Sequence, residues 1–148
     1  MASIQILVGS VMGAAEAVAE TVAAKLQQLD HQVSVNFQAD ISHILDNPQD
    51  ILLVCTSNTG SGELPDNILP LYLQLTRDYP PISGRRYGVI NLGDSSYTTF
   101  NEGGQALDTA LEDLGAQRIG APLVLDASEG LDADEEAINW INEWVKLL

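Results

Sequence analysis

The sequence predicts a doubly wound α/β fold: a three-layer α/β/α sandwich around a five-stranded parallel sheet of order 2-1-3-4-5. Three observations predict it. Strand-like and helix-like segments alternate along the chain, with no repeat, low-complexity tract or linker between them. Residues 50–57 are continuously apolar, as in a strand covered on both faces, and residues 86–93 read as another buried strand. The chain has 148 residues at 45% hydrophobic content, which suits one domain spanning 1–148. A domain of that size buries about 68–70% of its unfolded surface and needs no disulfide or metal to fold. Right-handed crossovers leave few topologies, and the stated order is the economical one at this length.

The elements follow in order. "SIQILVG" (3–9) reads as the first strand. Gly13 to Leu29 reads as a helix, with Val18, Val22, Leu26 and Leu29 at three- and four-residue spacing. "HQVSVNF" (31–37) alternates, so it is a half-exposed strand near an edge. "DILLVCTS" (50–57) is a central strand. Residues 66–78 read as a helix, with Pro70 tolerated in the first turn. "RYGVINLG" (86–93) is a second buried strand. Gly103 to Leu114 is a helix with Leu107, Ala110, Leu111 and Leu114 on one face. Residues 117–126 form the fifth strand, and Glu135 to Leu147 a closing helix. Asp132, Asp134, Glu135 and Glu136 stand at its start, where the helix dipole favours acids.

Composition narrows the function. Net charge is −15, from 21 acids against 6 Lys and Arg. Nucleic acid and anionic membranes both want a basic patch, so neither is an expected partner. A protein with a basic docking surface is the natural counterpart. The N-terminus has no basic region, and its first charge, Glu16, comes too early for a membrane span. A cytoplasmic protein is expected. The single cysteine, Cys55, lies in an apolar strand and reads as a small buried hydrophobe. His31 and His43 flank the second strand without further ligands at metal spacing and read as surface residues.

In a sheet of this kind, ligands bind beyond the carboxyl ends of the strands. Four loops lie there: "GSVMGAAE", "TSNTGSGELPDN", "LGDSSYTTFNEGG" and "LDASEG". The middle two exceed the usual two to six residues of a plain connection, which points to function. Gly60 and Gly62 allow close backbone approach. Tyr97 either stacks on a flat ring or packs on a neighbouring helix, and Phe100 has the same two options. Asp94 either accepts from a ring N–H or caps a turn. Neither the Walker lysine motif nor Gly-x-Ser-x-Gly is present. A phospho-acceptor site wants acids after strand 1 and an Asp ending strand 3, where this chain has Gly-Ser and Thr-Ser. Hydroxyl-rich loops without base, nucleophile or metal suit a cofactor that brings its own chemistry.

With these loops in order behind the right strands, the chain resembles the flavodoxins over essentially its whole length. It resembles specifically the short MioC-like and YqcA-like members, and also the FMN domains of diflavin reductases. "TSNTGSGELPDN", "LGDSSYTTFNEGG" and "LDTALEDLGAQRI" carry the resemblance. It implies a flavodoxin-like domain with one non-covalent FMN and an electron carrier rather than an autonomous enzyme. A flavodoxin/ferredoxin-type NADP reductase would be the donor, with an unidentified acceptor protein, and a monomer is expected. Ser10, Val11, Met12, Gly13, Ala14 and Ala15 would surround the phosphate. Ser57, Asn58, Thr59 and Gly60 would line one side of the flavin ring. Leu92, Gly93, Asp94, Tyr97, Phe100 and Asn101 would line the other, with Tyr97 as the stacking tyrosine. Asp126 would add a further contact. Met12 and Ala15 replace the threonines usual in the phosphate loop, and Thr59 replaces a frequent aromatic or histidine. These departures predict weaker FMN binding than in a typical member. The competing reading is a flavin-free binding or regulatory module of the same fold.

Overall fold

The structure is a computed structural model and describes residues 2–10, 13–57, 63–93, 102–126 and 132–148. Its elements are β1 (Ser3–Gly9), α1 (Ala14–Gln28), β2 (Gln32–Asn36), α2 (Ile41–Leu45), β3 (Ile51–Ser57), α3 (Leu69–Asp78), β4 (Arg86–Gly93), α4 (Glu102–Asp113), β5 (Gln117–Arg118), β6 (Leu123–Asp126) and α5 (Ala133–Trp144). A 3-10 turn, Val145–Leu147, follows α5.

All strand pairs among the described residues are parallel. The order is β2-β1-β3-β4-β5, with β6 also on β4, so the expected topology is observed. Alternation along the central strands divides the core in two. Ile4, Ile6, Val8, Ile51, Leu53, Cys55 and Ile90 pack under α1 and α5, against Val18, Val22, Leu26 and Trp144. Leu7, Leu52, Val54, Tyr87 and Val89 pack on the other face, against Leu71, Leu75, Leu107 and Leu111 of α3 and α4. Burying each such Leu or Ile stabilises the fold by about 1.5–3 kcal/mol. Two helices end alike. His31 N–H bonds Leu26 C=O and Asp30 N–H bonds Gln27 C=O after α1; Ala116 bonds Leu111 and Gly115 bonds Glu112 after α4. The left-handed residues these endings need are Asp30 and Gly115.

The structure departs from the sequence reading in five places; one is the closing helix, which runs Ala133–Trp144 with a 3-10 turn at Val145–Leu147 rather than over Glu135–Leu147. The expected fifth strand is two pieces. Arg118 pairs with Tyr87 and Leu123 with Ile90, so four residues on this strand oppose two on β4. Gly120 takes φ +70°, Pro122 has no N–H to give, and the indole N–H groups of Trp144 and Trp140 hold the carbonyls of Ile119 and Ala121. The short helix α2 is an addition to the expected elements. It is nucleated by a capping box in which the Asp40 side chain accepts from the Ser42 N–H and His43 Nδ1 accepts from the Asp40 N–H. α3 starts at Leu69, because the turn at 66–68 closes first on the Pro65 carbonyl. The two histidines are half-buried acceptors rather than surface residues: His31 Nδ1 takes the Ala2 N–H and His43 serves the cap. Among the described residues, no helix is long and apolar enough to cross a membrane.

Candidate functional site

The parallel register brings four strand ends to one edge. Gly9 lies beside Thr56, Ser57 beside Leu92, and Gly93 beside Asp126. The loops after β1, β3, β4 and β6 therefore leave the sheet side by side, as the topology requires.

At β1 the approach is tight. A Cβ on Gly9 would run into Thr56 Oγ1 and the Ile68 side chain. Ser10 follows with its N–H bonded to Asn67 Oδ1 at 3.0 Å. Its Oγ accepts the Gly13 N–H at 2.8 Å, which leaves the hydroxyl hydrogen to donate elsewhere. Gly13 sits at the α1 N-cap with φ +86°. Open space surrounds the position of its missing Cβ, so the left-handed backbone, not crowding, calls for glycine. No side chain caps α1. The first intrahelical bond is from Ala17 N–H to Gly13 C=O, so the N–H groups of Ala14, Ala15 and Glu16 precede the ladder. α2 and α5 begin differently, each with an Asp carboxylate on its first N–H groups. An uncapped helix start beside a hydroxyl is a donor set that fits a phosphate.

The other anticipated positions divide. Ala15 is fully buried in the core under α1, so it offers the site only its N–H. The Leu92 side chain also lies in that core. Ala14 is exposed; Ser57, Gly93 and Asp126 are half-buried at the edge. Ser57 Oγ reaches the Gly9 carbonyl at 3.5 Å, tying β3 to β1 where both end. Behind Gly93, the buried Asn91 amide lies where a Cβ on Gly104 would stand, so α4 meets β4 through a glycine. Val11, Met12, Asn58, Thr59, Gly60, Asp94, Tyr97, Phe100 and Asn101 lie outside the described residues. Cys55 is fully buried, and desolvation pushes its thiol up to about 12, which makes it inert as a nucleophile. Asn67 belongs to the site edge although the sequence reading assigns it no role. It closes the segment "TSNTGSGELPDN", and the expected helix over 66–78 counts it as a helical residue, where the structure has a turn before α3.

Charge is unequally distributed about this edge. All six Lys and Arg belong to the opposite one: Lys25 and Arg77 in the last turns of α1 and α3, Arg85 and Arg86 at the start of β4, Arg118 in β5, and Lys146 after α5. Glu16, Asp40, Glu102, Asp132, Asp134, Glu135 and Glu136 stand at helix starts on the site edge.

Comparison with known proteins agrees with this architecture. Residues 6–141 match the family model described as Flavodoxin. The chain is 40% identical over 148 residues to Flavodoxin YqcA of Escherichia coli K12, covering 100% of this chain and 99% of that protein. It is 34% identical over 152 aligned positions to Protein MioC of the same organism, with 100% and 99% covered. Among solved structures, a cysteine-to-alanine mutant of flavodoxin from Pseudomonas aeruginosa superposes with a TM-score of 0.91 at 37% identity, over 99% of this chain and 98% of that one.

Proposed function

The chain belongs to the flavodoxin family and is by that membership an FMN-binding electron-transfer protein; we propose that it shuttles electrons between a reductase and an acceptor protein. The observation that carries the assignment of the site is the uncapped, glycine-started α1 at the edge where four strand ends converge. FMN supplies one- and two-electron redox chemistry when bound. The chain supplies binding and orientation. Ser10 O–H and the N–H groups of Ala14 and Ala15 hold the phosphate at the positive end of α1. No cation is needed there, which accounts for a phosphate loop without lysine. Val11, Met12 and Gly13 shape the same loop. Ser57, Asn58, Thr59 and Gly60 line one side of the ring. Leu92, Gly93, Asp94, Tyr97, Phe100, Asn101 and Asp126 line the other, with Tyr97 stacked on it. With alanine at 15 and methionine at 12, the loop has fewer hydroxyl donors than the family pattern, and affinity for FMN is correspondingly lower.

The partners follow from the charge. A protein that approaches the site edge meets acids and leaves every Lys and Arg behind it. This supports a donor of the flavodoxin/ferredoxin NADP-reductase type and an acceptor, each with a basic docking surface; we place the exchange in the cytoplasm. The test is titration of the apoprotein with FMN, read by flavin fluorescence, then anaerobic reduction by such a reductase with NADPH. One FMN per chain is expected, with reduction that needs the reductase and slows as salt rises. A colourless protein that takes up no added FMN overturns the reading. Turnover with NADPH alone would make the chain an enzyme instead of a carrier.

A further inference from the structure

We infer that Asn67 is the positioning residue of the phosphate end: its side-chain amide holds the β1 exit and Ser10, leaving the Ser10 hydroxyl hydrogen and the first N–H groups of α1 for the phosphate. The inference rests on the flavin reading above. Asn67 lies half-buried in the turn before α3. Its Oδ1 accepts the Ser10 N–H at 3.0 Å, and its Nδ2 donates to the carbonyls of Val8 at 3.2 Å and Phe37 at 2.8 Å. One amide thus joins the exits of β1 and β2 to the entry of α3.

The position of these bonds explains why an amide is needed. The β1–β2 ladder stops at the Leu7–Asn36 pair, whereas β1 continues against β3 as far as Gly9. Beyond Leu7, β1 has no strand partner on the β2 side, and the Val8 and Phe37 carbonyls face the gap. The two hydrogens of Nδ2 fill it, and Oδ1 takes the next N–H along the chain, that of Ser10. An aspartate would bring acceptors to acceptors; a leucine would satisfy none of the three groups.

The consequence runs into the site. With the Ser10 N–H held, Ser10 Oγ accepts the Gly13 N–H. The N–H groups of Ser10 and Gly13 are therefore spent on loop geometry. The Ser10 hydroxyl hydrogen and the first turn of α1 remain for the anion. Asn67 touches no flavin in this account. It acts through the loop.

The test compares wild type with Asn67→Ala in two measurements. The first is the FMN dissociation constant of the folded apoprotein. The second is the ³¹P resonance and visible spectrum of the FMN-saturated protein. Asn67→Ala is expected to raise the dissociation constant about tenfold, and to move the ³¹P resonance while leaving the ring's visible bands in place. A constant within about twofold of wild type overturns the inference. So does a change in the visible bands with the ³¹P signal unmoved, which would mark a general structural role. If the alanine variant fails to fold, Asn67→Asp, of the same shape, is measured in the same way, with at least the same loss expected because both donors are gone. A wild-type chain that takes up no FMN removes the flavin reading itself, an outcome distinct from equal binding by wild type and variant.

Discussion

The two edges of the sheet are built on different terms. At the amino edge, side chains close the joints. Arg85 donates to the carbonyls of Ile44, Asn47 and Asp50. Tyr87 O–H and the Arg118 guanidinium both bond the Asp108 carboxylate, at 2.5 Å each, and Arg86 reaches the Leu147 carbonyl. At the carboxyl edge, β1 and β4 end in glycine, α1 starts without a cap, and Asn67 carries the bonds that hold the β1 exit. A helix start without a side-chain cap keeps its first N–H groups for an anion. Scaffold and site are thus separated along the strand axis.

That separation predicts that changes toward the amino edge alter stability without altering flavin affinity. The largest effect is expected from Trp144→Ala. Trp144 is 2% exposed, fills the space above Gly88, stacks on Trp140 at 5.5 Å and holds the Ile119 carbonyl. Urea unfolding should show a loss of about 3–5 kcal/mol, with the FMN affinity of the folded fraction within about twofold of wild type. A large affinity loss would break the comparison. Arg85→Ala comes next. It strips donors from partly buried carbonyls and should cost roughly 2 kcal/mol, with Arg85→Lys recovering only part because an ammonium lacks the guanidinium fork. Again the flavin affinity should hold.

The last effect is a slope in pH. Burial, then the hydrogen bond to Asp108, raises the Tyr87 hydroxyl well above its ordinary value; burial alone raises Cys55 to about 12. Both groups keep their protons in the fold at pH values where the unfolded chain, with pKa of about 8.5 for Cys and 10 for Tyr, releases them. The unfolded state then binds fewer protons. Stability is therefore whole below about pH 8.5 and falls as pH rises toward each folded value, by at most about 1.4 kcal/mol per pH unit for each group. Urea midpoints between about pH 8 and pH 11 measure it. Cys55→Ala should remove the earlier part of the slope and Tyr87→Phe the part above about pH 10. A slope unchanged in both variants would place the titrating groups elsewhere.

The central strands are legible in the sequence because they depend on short-range pattern: the apolar run at 51–57, the buried-strand pattern at 86–93 and helical spacing in α1 and α4 each lie within a dozen or so residues. The sheet order follows from the few right-handed crossover topologies open to alternating elements. What the pattern misses has long-range causes. The break at 119–122 depends on two indoles of α5, some 19 and 25 residues further along the chain. His43 reads as solvated because its cap partner, Asp40, belongs to an element too short to show periodicity.

The sequence by itself thus determined the elements and layers, since alternation and helical period are properties of neighbouring residues, and with the right-handed crossover rule it gave the strand order and the four loops at one edge. Only the tertiary structure decided which donors in those loops are spent and which are left. Ser10 meets Asn67 across 57 residues, and Asn67 meets Phe37 across 30. A hydrogen bond between such distant groups leaves no local pattern. It forms only after the sheet has brought the ends of β1 and β2 beside the start of α3.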